Sequence, residues 1–103
     1  MSLDTDNILR KQAYPLLIDG KEVASLAGRT FETLNPATGR AIAQVYEAGE
    51  EDVNAALAAA RRAYEGAWGK FTPKERSKAL LRLAAKLAEH SELMAQLEVL
   101  DVG

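Results

Sequence analysis

A short insert at residues 35–39, with the sequence NPATG, separates two runs that favour β-strands, residues 30–34 and residues 41–48. Pro36 cannot donate a hydrogen bond to a sheet, and it keeps the residue before it away from helical backbone angles. Gly39 can adopt the left-handed conformation that closes a turn. The insert therefore predicts the loop of a β-hairpin, and most inserts of this kind are turns without a further role.

The amino-acid composition excludes several classes of function. The chain has 103 residues, enough for one small domain, and its formal net charge of -2 argues against a nucleic-acid partner, which needs a concentrated basic surface. It has no cysteine, which excludes a disulfide, a thiolate nucleophile and a cysteine-ligated zinc, and its single histidine excludes a site with two imidazoles. Without an apolar run of about 18 residues or a signal-peptide core, we expect a cytoplasmic protein with no membrane partner.

The chain divides into three segments by its pattern. Residues 1–13 predict a polar N-terminal arm, and residues 14–47 an extended segment that forms two short hairpins. Asp19 and Gly20 supply the two positive φ angles of a type I′ turn, which predicts the first hairpin. Residues 50–103 predict a helical segment, because their apolar residues recur every three or four positions.

Three amphipathic helices are predicted in that third segment. Acidic residues 50–52 suit the first turn of the first helix, and Thr72, Pro73 and Glu75 form a capping box that starts the second. Ser91 is the predicted N-cap of the third helix and Gly103 its stop. The predicted apolar faces are Val53, Leu57, Ala60 and Tyr64; Leu80, Leu83, Ala84 and Leu87; and Leu93, Leu97 and Leu100. The fold class is therefore α+β.

The residues that suggest chemistry have simpler interpretations. His90 is expected at a solvated position between two helices, and Trp68 is expected to plug a short loop bracketed by two glycines. Met94 is expected to fill the core, and a basic stripe is expected to be a solvated helix face. That stripe consists of Lys74, Lys78, Arg82 and Lys86. No glycine-rich phosphate loop and no catalytic triad is present, so the residues alone predict no active site.

The order of these segments resembles the start of an NAD(P)-dependent aldehyde dehydrogenase. The hairpin sequence LLIDGKEV, the NPATG turn, the capped TPKER at residues 72–76 and the LDVG at residues 100–103 follow each other as in that family. The similarity covers residues 14–103. It implies the N-terminal wrap that packs on the coenzyme-binding domain, without the Rossmann core itself.

The resemblance also implies a reaction, the oxidation of an aldehyde to a carboxylic acid with NAD or NADP. That reaction needs a cysteine nucleophile, a glutamate that activates water and a loop that holds the coenzyme. The matching sequence contains none of them, so we expect a structural segment that docks on the remainder of an aldehyde dehydrogenase core, whose parent is a homodimer or homotetramer. The alternative is a freestanding α+β interaction module that kept this scaffold. The aldehyde and the choice between NAD and NADP stay open.

A cation site is the one functional feature that the resemblance carries into this sequence. Some members of the family hold potassium or sodium with the two main-chain carbonyls before the Asn-Pro turn and with the aspartate of the LDxG motif. By motif matching, these ligands are Thr33, Leu34 and Asp101, an oxygen-only set that suits a hard cation. The simpler interpretation is a plain hairpin next to a helix end.

We predict that the purified 103-residue chain forms no NAD(P)H when an aldehyde is added, because it contains no cysteine to attack the carbonyl carbon. The measurement is the absorbance of NADH or NADPH after an aldehyde is added, first with NAD+ and then with NADP+. Aldehyde-dependent turnover that co-purifies with the chain, with contaminants excluded by mass spectrometry, would contradict the prediction.

Overall fold

Two antiparallel β-hairpins open the part of the chain that the structure describes. The computed structural model describes residues 13–103. The first hairpin pairs β1 (Leu16–Ile18) with β2 (Lys21–Val23), and the second pairs β3 (Thr30–Leu34) with β4 (Ala41–Tyr46). Each hairpin is a separate two-stranded sheet, so neither has a broad face on which helices could pack.

The turn of the first hairpin has the predicted geometry. Asp19 has φ 56° and Gly20 has φ 71°, the two positive angles that a type I′ turn requires. Leu16 faces Val23 in the register, and Ile18 faces Lys21 across the turn. The two-residue Asp-Gly loop therefore fixes the pairing of these short strands.

Three long helices follow, with one additional helical turn. They are α1 (Glu50–Glu65), α3 (Pro73–Glu89) and α4 (Ser91–Val102), and the extra turn is α2 (Ala67–Lys70). The sequence predicted a loop where α2 lies. Gly69 allows this compact turn, because a side chain at that position would overlap the main-chain oxygen of Tyr64.

The helix ends match the predicted signals with one exception. The Thr72 hydroxyl accepts a hydrogen bond from the Glu75 amide at 3.2 Å, and the Glu75 carboxylate accepts one from the Thr72 amide at 2.8 Å. Gly103 ends α4 with φ 94°. The prediction of Ser91 as an N-cap was wrong, because Ser91 is the first helical residue and His90 occupies the cap position without a side-chain hydrogen bond.

The face that α1 turns toward the first hairpin matches the predicted one in part, since it includes Val53, Leu57 and Ala60 together with three alanines outside the predicted stripe. Ala59 is buried, and with Ala56 and Ala63 it lines a shallow groove beside Leu17 and Ile18. Small side chains allow a strand to approach the helix closely. The larger residues of the predicted stripe are exposed, including Leu57 at 63% and Tyr64 at 67%.

The described part of the chain buries very little apolar surface. Its radius of gyration is 16.8 Å, whereas a compact chain of about 100 residues has one of about 13 Å. Among residues 13–103, Ala43 and Ala59 are the only buried apolar residues. The architecture of residues 13–103 is the predicted α+β arrangement, two antiparallel strand pairs followed by helices.

The apolar faces of α3 and α4 differ in their exposure. No residue of α3 is buried, and Leu80 and Leu83 are 59% and 55% exposed. On α4, Leu93, Leu97 and Leu100 are half-buried, and Leu97 lines a cleft together with residues of the second hairpin. Met94 was predicted to fill a core, and this was wrong, since it is 48% exposed at the edge of an open cleft.

The predictions for the N-terminal arm, for the division into segments and for membrane spans have different outcomes. The polar arm predicted for residues 1–13 lies, apart from Ala13, outside the described residues. The proposed division into segments stays a prediction. Within residues 13–103, every helix is too short or too polar to cross a bilayer.

We expect the isolated chain to self-associate or to stay partly molten, because several leucines on its helices are exposed. Burying one leucine side chain contributes about 1.5–3 kcal/mol, and the net stability of a domain is about 5–15 kcal/mol. Urea unfolding, ANS binding and light scattering at several concentrations measure this. A monomer with one sharp transition and no ANS signal would show that the chain stabilises itself.

Candidate functional site

Asn35 organises the loop of the second hairpin. Its carbonyl accepts hydrogen bonds from the amides of Thr38 at 3.2 Å and Gly39 at 2.7 Å, and its side-chain Oδ1 accepts one from Ala37 at 2.9 Å. Its own amide donates to the Arg40 carbonyl at 2.8 Å. Gly39 closes the loop with φ 72°. The hairpin loop predicted for residues 35–39 is therefore confirmed, and one asparagine accepts hydrogen bonds from three of its amides.

This loop meets the C-terminal end of α4. The Thr33 hydroxyl Oγ1 donates to the Asp101 carboxylate Oδ1 at 2.9 Å, across 68 positions of sequence. Gly103 packs on the ring of Pro36, since a Cβ placed there would lie 3.1 Å from the proline Cγ. The two contacts fix the end of the helix against β3 and the turn that follows it.

An open cleft of about 480 Å³ lies between the second hairpin and α4. Ile42, Val45 and Leu97 give it an apolar floor, and Thr33 and Asp101 lie at its polar end. The cleft is thus a largely apolar groove, and the Thr33 hydroxyl and the Asp101 carboxylate are in contact at one end of it.

Tyr14 closes one side of this cleft. Its amide donates to the Gln44 carbonyl at 2.7 Å, and its carbonyl accepts from the Tyr46 amide at 3.0 Å, so it extends the sheet by one bridge beside β4. Partial burial raises the pKa of the Tyr14 hydroxyl above its usual value. The phenol therefore stays neutral at physiological pH and contributes no charge to the cleft.

The three cation ligands predicted by resemblance lie at this polar end or next to it. Thr33 and Asp101 are in contact, and Leu34 follows Thr33 where the register between β3 and β4 shifts. Asp101 forms no ion pair with any cation of residues 13–103. Two main-chain carbonyls and one carboxylate are hard oxygen donors, so their chemistry fits potassium or sodium. That all three donate to one ion stays a prediction.

A site for a transition metal is absent from the described part of the chain. No group of three or more histidine, aspartate or glutamate side chains there could hold a metal ion. A monovalent ion bound largely by main-chain oxygens needs no such group.

Asp52 has a structural role that the sequence analysis missed. It is buried, and its two carboxylate oxygens accept hydrogen bonds from the amides of Leu26 at 3.2 Å and Gly49 at 2.8 Å. It thereby joins the start of α1 to the connector between the hairpins. The acidic first turn of α1 was a signal for the local bond to Gly49. No pattern in the sequence indicated the partner 26 positions away.

The other residues singled out in the sequence form no site. His90 is exposed between α3 and α4, where its Nδ1 lies 3.0 Å from the Lys86 carbonyl. Trp68 packs on Phe71 with ring centroids 5.7 Å apart, and Arg76 covers it while donating to its carbonyl at 3.2 Å. The basic stripe of α3 is exposed, as predicted for a solvated face.

Comparison with known proteins identifies the fold to which these elements belong. The profile of the aldehyde dehydrogenase family matches residues 23–103. An aldehyde dehydrogenase of Aspergillus niger is 44% identical over 93 residues, which are 90% of this chain and 19% of that protein. The mitochondrial aldehyde dehydrogenase family 2 member B4 of Arabidopsis thaliana is 51% identical over 89 residues, 85% of this chain and 16% of that protein.

Solved structures agree with the sequence comparison. The NAD+ complex of an aldehyde dehydrogenase from Bacillus cereus superposes with a TM-score of 0.92 at 42% identity, covering 98% of this chain and 21% of that one. The chain belongs to the aldehyde dehydrogenase family. Within that fold it corresponds to an N-terminal portion, and it spans about a fifth of the length of the relatives it matches.

Proposed function

We propose that this chain is the N-terminal structural segment of an NAD(P)-dependent aldehyde dehydrogenase and packs on the remainder of that fold. The observation that carries the proposal is the state of α3. This helix is long and well capped, yet none of its residues is buried and its leucine face is open. A capped amphipathic helix with an exposed apolar face is typical of a helix that packs on another part of a protein.

The amount of exposed apolar surface indicates that the missing cover is extensive. Tyr64, Leu80 and Leu83 are each more than half exposed although they lie on regular helices. A segment that spans about a fifth of its relatives leaves ample chain to cover them. The proposed partner is therefore the rest of an aldehyde dehydrogenase core.

The proposed parent reaction is the oxidation of an aldehyde to a carboxylic acid, in which NAD+ or NADP+ accepts the hydride. This chain contributes no nucleophile, because it has no cysteine. Its contribution is to cover one side of the fold and to hold elements such as the NPATG loop in place. A cytoplasmic location and a dimeric or tetrameric parent belong to the same proposal.

A graft tests the docking of α3. Residues 13–103 would replace the matching segment of the Bacillus cereus enzyme, because this chain superposes on that enzyme with a TM-score of 0.92. We expect this grafted enzyme to fold and to keep the host's aldehyde-dependent NADH formation. In the graft, Leu83→Asp should lower the yield of active enzyme by more than about tenfold, because an unpaired buried carboxylate costs several kcal/mol.

Lys78→Asp is the matched control. Lys78 lies on the opposite face of α3, and its substitution introduces the same aspartate side chain as Leu83→Asp. Both positions are exposed in this chain, so only docking can separate the two variants. Equal yields from the two variants would reject the docking of α3 and favour the freestanding interaction module.

We also infer that the turn and the end of α4 hold a potassium or sodium ion. The main-chain carbonyls of Thr33 and Leu34 and the carboxylate of Asp101 are the proposed ligands. The contact of 2.9 Å between Thr33 and Asp101, together with the absence of an ion pair at Asp101 in the described residues, supports this. The ion would neutralise the carboxylate and join the hairpin to the helix.

Asp101→Ala in the grafted enzyme should remove most of the rise in melting temperature that KCl produces over choline chloride at equal ionic strength, because a bound ligand stabilises only the state that binds it. Glu98→Ala is the control, since Glu98 is an exposed carboxylate in the same cleft. An unchanged potassium effect in Asp101→Ala, or an equal loss in both variants, would reject Asp101 as a ligand.

A further inference from the structure

We propose that the side-chain hydroxyl of Thr33 is a positioning group for the Asp101 carboxylate and sets the affinity of the cation site. This inference rests on the cation site proposed above. It assigns a second task to Thr33 that is separate from its main-chain carbonyl. The carbonyl is a proposed ligand, whereas the hydroxyl orients another ligand.

The hydrogen bond that carries this inference connects rigid backbone to an exposed carboxylate. Thr33 lies in β3, where its backbone pairs with Ala43, and it is half-buried. A β-branched side chain has few χ1 rotamers, so the strand holds the hydroxyl in one place. Asp101 is exposed in the last turn of α4, and its Oδ1 accepts the hydroxyl proton at 2.9 Å.

The bond orients the carboxylate without using up its capacity to bind a cation. An ionised carboxylate has about four lone-pair sites on two oxygens, and the hydroxyl occupies one of them. The structure shows no other hydrogen bond or ion pair at this carboxylate within residues 13–103. The remaining sites are therefore available to a cation next to the carbonyls of Thr33 and Leu34.

The surroundings make the hydroxyl the main constraint on this side chain. Asp101 lies at the edge of the cleft, and the contact of Gly103 with Pro36 fixes the helix backbone but leaves the carboxylate free to rotate. Without the hydroxyl, an exposed aspartate would populate several rotamers. Partners that orient a metal ligand typically change metal affinity by about 10–100-fold when they are removed.

The test uses the grafted enzyme with Thr33→Val and Thr33→Ser, neither of which alters the main-chain carbonyl. Thr33→Val keeps the shape and removes the donor, and Thr33→Ser keeps the donor. Melting temperature is titrated with KCl against choline chloride at constant ionic strength. We expect Thr33→Val to raise the apparent potassium dissociation constant by about tenfold and Thr33→Ser to leave it near that of the unsubstituted graft.

The outcomes separate this inference from the proposals on which it rests. If Thr33→Val binds potassium as well as the unsubstituted graft, or more tightly, the hydroxyl does not position Asp101 and the inference is overturned while the site stands. An equal loss in Thr33→Val and Thr33→Ser would also overturn it. If the unsubstituted graft shows no potassium effect, both the cation site and this inference fail, whereas an active graft still supports the structural segment.

Discussion

Hydrophobic burial, which normally dominates folding, is largely unsatisfied within residues 13–103. The helices carry leucine faces, but the two hairpins are separate sheets of two strands and offer little surface to cover them. The elements consequently spread to a radius of gyration of 16.8 Å. Membership of the aldehyde dehydrogenase family supplies a physical reason, because relatives have about five times the length of this segment. The exposed leucine faces therefore follow from the fact that this segment is only part of the fold.

Polar contacts hold the elements in place where a core is lacking. Asp52 joins α1 to the connector between the hairpins, Arg76 joins α3 to the carbonyls of α2, and Thr33 joins β3 to α4. A hydrogen bond contributes about 0.5–1.5 kcal/mol net, so these contacts determine geometry more than stability. Such an arrangement suits a segment that presents a fixed shape to a larger partner.

Local structure was predictable wherever one residue type controls the backbone nearby. The type I′ turn at Asp19 and Gly20, the NPATG loop and the capping box of Thr72 and Glu75 all form as predicted. The errors fall where the outcome depends on distant residues. Met94 was assigned to the core from its residue type, yet it is 48% exposed, because residue type does not show which distant residues cover a side chain.

The sequence by itself determined the order of hairpins and helices, most of their boundaries and the exclusion of cysteine chemistry. Turn and cap signals act over only a few neighbouring residues, so the sequence alone shows them. The lack of cysteine follows from composition and needs no structure. The tertiary structure alone decided that alanines of α1 face the first hairpin, that Asp52 reaches Leu26 and that the Thr33 hydroxyl meets Asp101 across 68 positions. Contacts of that kind depend on how elements fold back on each other, and this follows from packing and chain geometry that no local pattern encodes.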